Sequence, residues 1–242
     1  MKQYEAVILT LERLGGQATL AELYQEVLKI EDCRWDTKTP FASIRRIVQV
    51  RPEIYRVRPG LWALRKYQEK LGLTEYKPGK PLSSEAAKQS HSYYQGVIAV
   101  VGNLRGMATF VPNQDKNKLF VNNPLKDIRS IQNLPAFSHE SLVRKCGTVD
   151  VTWFNSRHMP DSFFEVEHST DIQNSLLKFH ELQDFYARMI IVADEYRRRE
   201  FEQKIKQSAL KAIRDRVKFL GYTTLDRQYE NEVFLARQAF SI

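Results

Sequence analysis

Apolar positions in the first third of the chain recur three times at helical spacing. Tyr4, Val7, Ile8, Leu11 and Leu14 form one stripe, and Gly15-Gly16 closes it. Leu20, Leu23 and Val27 form a second. It opens at Thr19, and Glu22 three residues on completes a capping-box pattern. Pro40 suits the first turn of a third helix, PFASIRRIVQV. The period then shortens to two. IYRVR and LWALR flank Pro59-Gly60, a turn signal, so a hairpin is expected there. Three helices and a hairpin follow one another in the order of a winged helix, assigned to residues 1–70.

Residues 71–84 hold prolines, glycines and polar side chains and read as a linker. Ser83 or Ser84 caps a helix over 85–105 that carries Ala87, Tyr94, Val97, Ile98 and Val101. Strands are expected at 107–112, 147–155, 162–169 and 188–194, with a short one in KLFVNN and an irregular stretch over 122–141. A helix is expected over 171–186, with Thr170 and Gln173 as its capping box, and a long one over 197–220. In the latter, Phe201, Ile205, Ala209, Ala212, Ile213, Val217 and Leu220 form a stripe. Its segment 197–218 holds nine basic and three acidic residues, the pattern of a solvated amphipathic helix. The fold class is therefore mixed α+β: an N-terminal winged helix-turn-helix and, over 85–242, an αβββαβ core with a mixed central sheet.

The alternation in DSFFEVEHSTD, residues 161–171, puts Glu165 and Glu167 on the face of Phe163, while Phe164, Val166 and His168 take the other. Apolar side chains on both faces imply a buried strand, and buried carboxylates are unfavourable unless paired or metal-bound. The polar loop between GTVDVTWFN and SFFEVEHS implies an antiparallel hairpin. A loop centred between residues 157 and 158 sets Asp150 opposite Glu165, at about 5 Å between Cβ atoms. Three acids so placed repel unless a proton or a divalent cation lies among them, and oxygen donors suit Mg²⁺, with Mn²⁺ as a substitute. Pro160-Asp161 reads as a turn.

Charge adds a partner class. The net charge of +8 favours a polyanion, nucleic acid first. Within 1–75 the basic residues concentrate after residue 44. Ser43, Arg45 and Arg46 lie on the helix that would enter a major groove, and Arg51, Arg56, Arg58, Arg65 and Lys66 lie in and beside the hairpin. Cys33 and Cys146 are far apart with no CxxC, so a reducing, cytoplasmic setting is expected. No apolar run is long enough to span a membrane. The histidines 91, 139, 158, 168 and 180 lack paired spacing, which argues against a zinc enzyme. The absence of GxxxxGK[ST] and GxGxxG argues against a nucleotide cofactor, and that of GxSxG against a serine hydrolase.

Two family resemblances sharpen these expectations. TLAELYQEV, TKTPFASI and YRVRPGLWAL resemble the HARE-HTH winged-helix domain, which implies binding to double-stranded DNA. Asp150 with Glu165-Val166-Glu167 and the surrounding αβββαβ order resemble the PD-(D/E)xK restriction-endonuclease-like superfamily. That resemblance implies a Mg²⁺-dependent endonuclease of restriction type. Asp150 and Glu165 would hold the metal, with the Val166 carbonyl as a further ligand. The family's lysine is replaced here by Glu167, a glutamate that some restriction enzymes carry, and it would orient or deprotonate the attacking water. Lys178, on the following helix, is the candidate displaced cation, and Glu85 a candidate further acid from the preceding one. One such site cuts one strand, so a double-strand break calls for a homodimer or two successive events. The rival reading is a DNA-binding regulator that keeps the nuclease-like domain as a scaffold, and the missing lysine favours it.

Overall fold

The computed structural model describes residues 1–77, 84–168 and 171–239. It divides into two compact units, Met1–Pro78 and Gly79–Ile242. The centre of the expected linker, with Ser83, lies outside the described residues.

The first unit contains α1 (Gln3–Arg13), β1 (Gln17–Thr19), α2 (Leu20–Glu26), α3 (Pro40–Val50), β2 (Ile54–Arg58), β3 (Leu61–Leu64) and the short α4 (Gln68–Leu71). Each helix starts as its sequence dictates. The Thr19 hydroxyl accepts the Glu22 amide, and the Glu22 carboxylate accepts the Thr19 amide at 2.6 Å. Pro40 occupies the first turn of α3, where its missing N–H leaves nothing unsatisfied. The helical stripes meet in one core, where Val7 and Leu11 pack with Leu23, Val27, Ile44 and Val48 against Ile54, Trp62 and Leu64. The strands pair antiparallel in the order β1-β3-β2, and Gly60 turns the hairpin with φ 75°.

The second unit is built on α5 (Ser84–Leu104) and β4 (Ala108–Phe110). A small excursion follows: β5 (Leu119–Phe120), β6 (Asn123–Pro124), α6 (Leu125–Ile128) and α7 (Glu140–Cys146). The chain then returns as β7 (Val151–Phe154) and β8 (Pro160–Glu167), and continues through α8 (Ile172–Glu181), β9 (Arg188–Ala193), α9 (Arg198–Lys204), β10 (Val217–Gly221) and α10 (Tyr222–Ala239). The sheet runs β10-β9-β8-β7-β4 and is mixed, antiparallel from β4 to β8 and parallel from β8 to β10. One face meets α5: the Trp153 indole donates to the Ile98 carbonyl and packs, tilted, on Phe164 with ring centroids 4.6 Å apart. The other face carries Phe163, Met189 and Ile191 into a core with Leu176 and Phe179 of α8 and Phe201 of α9. α10 lies along α5, with Tyr222 stacked on Tyr94 at 3.8 Å.

Several expectations need correction. Residues 197–220 do not form one helix. They fold as α9, a turn at Ser208–Leu210 and strand β10. Part of the stripe holds, because Phe201, Ile205, Ile213 and Val217 enter one core, but Ala209 and Ala212 are exposed, and pairing of VKFLG with β9 overrides helical spacing. The stretch 122–141 is less irregular than expected, since it holds α6. The helix expected over 171–186 ends at Glu181, and Asp171 caps it by accepting the Gln173 amide; Thr170, of the expected capping box, lies outside the described residues. Pro160-Asp161 opens β8 rather than forming a turn, and Asp161 pairs with Arg188. The turn sits earlier, where His158 takes φ 59°.

Candidate active site

The ends of β7 and β8 assemble the acidic residues. Val151 pairs with Phe164, so Asp150 continues the expected register toward Glu165, although it occupies the bend before β7 rather than the strand itself. There its Oδ2 accepts the Val166 amide at 2.8 Å, a bond that fixes the bend against the neighbouring strand. Glu165 and Glu167 are 2% and 4% exposed, as a strand buried on both faces requires.

α8 supplies their partners. Lys178 places Nζ 3.0 and 2.9 Å from the two Glu165 oxygens and donates to the Thr148 carbonyl at 3.0 Å. The Ser175 hydroxyl lies within bonding distance of both Glu165 Oε2 and Glu167 Oε1. Burial first, then the Asp150 charge, pushes the Glu165 carboxyl up to about 8 against the opposing pull of Lys178 and Ser175. Lys178 is held above its usual range: burial alone would lower it, and the Glu165 charge outweighs that. Glu167 points inward, with Arg197 Nη1 at 3.6 Å. Arg197 is itself buried and bound to Glu200.

Asp150 looks toward α5. Its Oδ1 lies 3.3 Å from His91 Nε2. Burial would raise this carboxyl, but the His91 contact and the Val166 amide hold it below its usual range. His91 is raised in turn, because the bond to Asp150 outweighs desolvation. Asp115, from the excursion after β4, joins them, and the Gln95 amide bridges Asp115 Oδ2 and the Asp150 carbonyl. The side chain that α5 brings to Asp150 is therefore His91, while Glu85 is exposed. Spacing gave no hint of this, since His91, Asp115 and Asp150 belong to three separate segments.

Residues 75–239 match the model of the family described as Type II restriction enzyme NmeDI C-terminal domain, well over half of the chain. The chain belongs to this family. No curated protein and no solved structure matches it. Membership in the NmeDI C-terminal family makes the chain restriction-enzyme-like and places it with the nucleases that act on DNA. The family match covers the site and the second unit and leaves most of the first outside. No helix among the described residues is long and apolar enough to cross a membrane.

Type II restriction enzymes usually use divalent metals. Asp150 and Glu165 bring carboxylate oxygens to one sheet end, hard donors of the type such an ion takes. In the first unit the basic residues differ in setting. Arg46 is exposed on α3 beside the half-buried Ser43, and Arg45 is exposed with Nε bonded to the Tyr24 hydroxyl at 3.2 Å. Arg51 stacks over Tyr4 at 3.4 Å, and Arg56 lies 5.4 Å from the Tyr76 ring. Arg58 is buried, and Lys66 is paired with Glu12 at 2.5 Å.

Proposed function

We propose that the protein is a divalent-metal-dependent endonuclease of restriction type that hydrolyses phosphodiester bonds of double-stranded DNA, with the first unit docking on DNA as a winged helix. The observation that carries this reading is the pairing of the buried Glu165 with the half-buried Lys178 beside Asp150. A carboxyl held near 8 by burial, facing a lysine in a restriction-enzyme family, is the kind of perturbed pair that functional sites keep.

Asp150, Glu165 and the Val166 carbonyl would hold the ion, Mg²⁺ with Mn²⁺ as a substitute. Such an ion polarises a scissile phosphate and lowers the pKa of a bound water. Lys178 takes the place of the family's lysine. Its ammonium, held by the Thr148 carbonyl and the Glu165 oxygens, would stabilise the charge that grows on a phosphate in the transition state. Glu167 replaces that lysine in sequence but not in role. Bound by Ser175 and near Arg197, it positions Glu165 through the shared hydroxyl.

The first unit supplies exposed cations on α3, and the excursion after β4 adds a hollow lined by Lys116, Lys126 and Arg129. Both favour a phosphate backbone as partner. Two copies acting on opposite strands would make a double-strand break. The test is plasmid cleavage with Mg²⁺ or Mn²⁺, comparing the wild type with Asp150→Ala and Glu165→Gln. Metal-dependent cutting by the wild type alone supports the reading. Wild-type DNA binding with no cutting under either metal overturns it in favour of the regulator.

A further inference from the structure

We propose that His91, Asp115 and Asp150 form a binding site for a divalent transition-metal ion on the α5 side of the sheet end. It rests on the nuclease reading only in that Asp150 is shared with the Glu165 side. Three segments distant in sequence converge here, and one ligand atom from each lies within 4.8 Å of the others. Asp115 is 4% exposed, so its charge is largely removed from water.

Each aspartate has a basic side chain beside it. Lys118 Nζ lies 2.5 Å from Asp115 Oδ1, and His91 faces Asp150. A second observation comes from Gln95, which is fully buried against the cluster. Its Nε2 donates to Asp115, yet its Oε1 has no hydrogen-bond partner. A buried acceptor without a donor is unfavourable. The two ends of an amide have the same shape, so a half-turn of the terminal group would direct Oε1 into the cluster. Beside the Asp115 carboxylate and the Asp150 carbonyl, which Nε2 serves, that orientation is repulsive, whereas beside a cation it is favourable. The donor set also selects the ion. Mg²⁺ prefers oxygen and water, whereas one imidazole nitrogen with two carboxylates suits borderline divalent ions.

The experiment is Mn²⁺ binding to the full chain, followed by the electron paramagnetic resonance signal of the free ion and by calorimetry, with Mg²⁺ as competitor. His91→Ala and Asp115→Asn are expected to weaken Mn²⁺ binding by at least about 10–100-fold, the loss that removal of an outer-shell partner alone brings. Lys118→Ala tightens it by removing the competing cation, a gain that misfolding cannot imitate. Mn²⁺ binding that is unchanged in His91→Ala and Asp115→Asn, or unimproved in Lys118→Ala, overturns the site. Plasmid cleavage on the same preparations separates the two proposals. His91-independent Mn²⁺ binding in an active wild type removes this site and keeps the nuclease. His91-dependent binding in a wild type that never cuts keeps the site and removes the nuclease.

Discussion

Lys178 touches both oxygens of Glu165 from within α8, and this contact makes two separable predictions. Lys178→Met removes the ammonium but keeps most of the stem's volume. Cleavage should fall by about 10²–10³-fold, the usual loss of one electrostatic stabiliser, with DNA affinity unchanged in single-turnover assays. Lys178→Met that cuts at the wild-type rate would exclude the lysine from the chemistry. Glu165 gives the second prediction, and its sign follows from its raised pKa. The folded chain holds the Glu165 proton up to about 8, while the unfolded chain releases it near the ordinary 4.5. Between those values the unfolded state binds fewer protons, so rising pH favours unfolding of the metal-free protein. Calorimetric melting of the wild type should therefore lose ground to Glu165→Gln as pH goes from 5 to 8. A constant difference in Tm across that range would refute the assignment. Period-two alternation revealed Glu165 and Glu167 as buried because the cue is local. His91 stayed hidden because only the folded chain brings it to Asp150.

Packing between elements explains what the local pattern missed. β10 is a short parallel edge strand whose pairing with β9 lies outside any window, and its apolar residues fall in step with the preceding helical stripe. Thr19, Gly60 and Pro40 were legible because caps and turns obey near-neighbour chemistry. α5 shows a third kind of constraint. A Cβ added at Gly102 would lie 2.6 Å from both Trp153 Nε1 and Thr109 Cγ2, so glycine lets the helix sit close on β4 and β7. In an exposed helix, Gly→Ala gains about 1 kcal/mol. Here Gly102→Ala should instead destabilise, by about 1–3 kcal/mol from overpacking, because the indole is held by its bond to Ile98. Urea denaturation decides between these signs, and a stabilised variant would mean that the helix–sheet spacing is looser than described.

The whole molecule carries a net charge of +8 and joins a unit inside the family match to a unit largely outside it. If the first unit docks on DNA through α3, its basic residues should divide by setting rather than by charge alone. Arg46 is exposed on α3, and each phosphate it neutralises releases condensed counterions. Arg46→Ala should weaken binding alike for all sequences and flatten the slope of log K against log salt by about 0.9 per phosphate lost. Arg58 is 7% exposed, and Lys66 is already paired with Glu12. Arg58→Ala should lower the Tm of the first unit, because it empties packed volume. Lys66→Ala should change neither quantity much, since an exposed pair contributes little. Fluorescence-anisotropy titrations in EDTA, repeated over a series of salt concentrations, measure the slopes without cleavage, and thermal melts of the same variants measure Tm. A slope flattened by Lys66→Ala and untouched by Arg46→Ala would move the DNA-facing surface from α3 to the end of the hairpin and change how the nuclease unit is delivered to its strand.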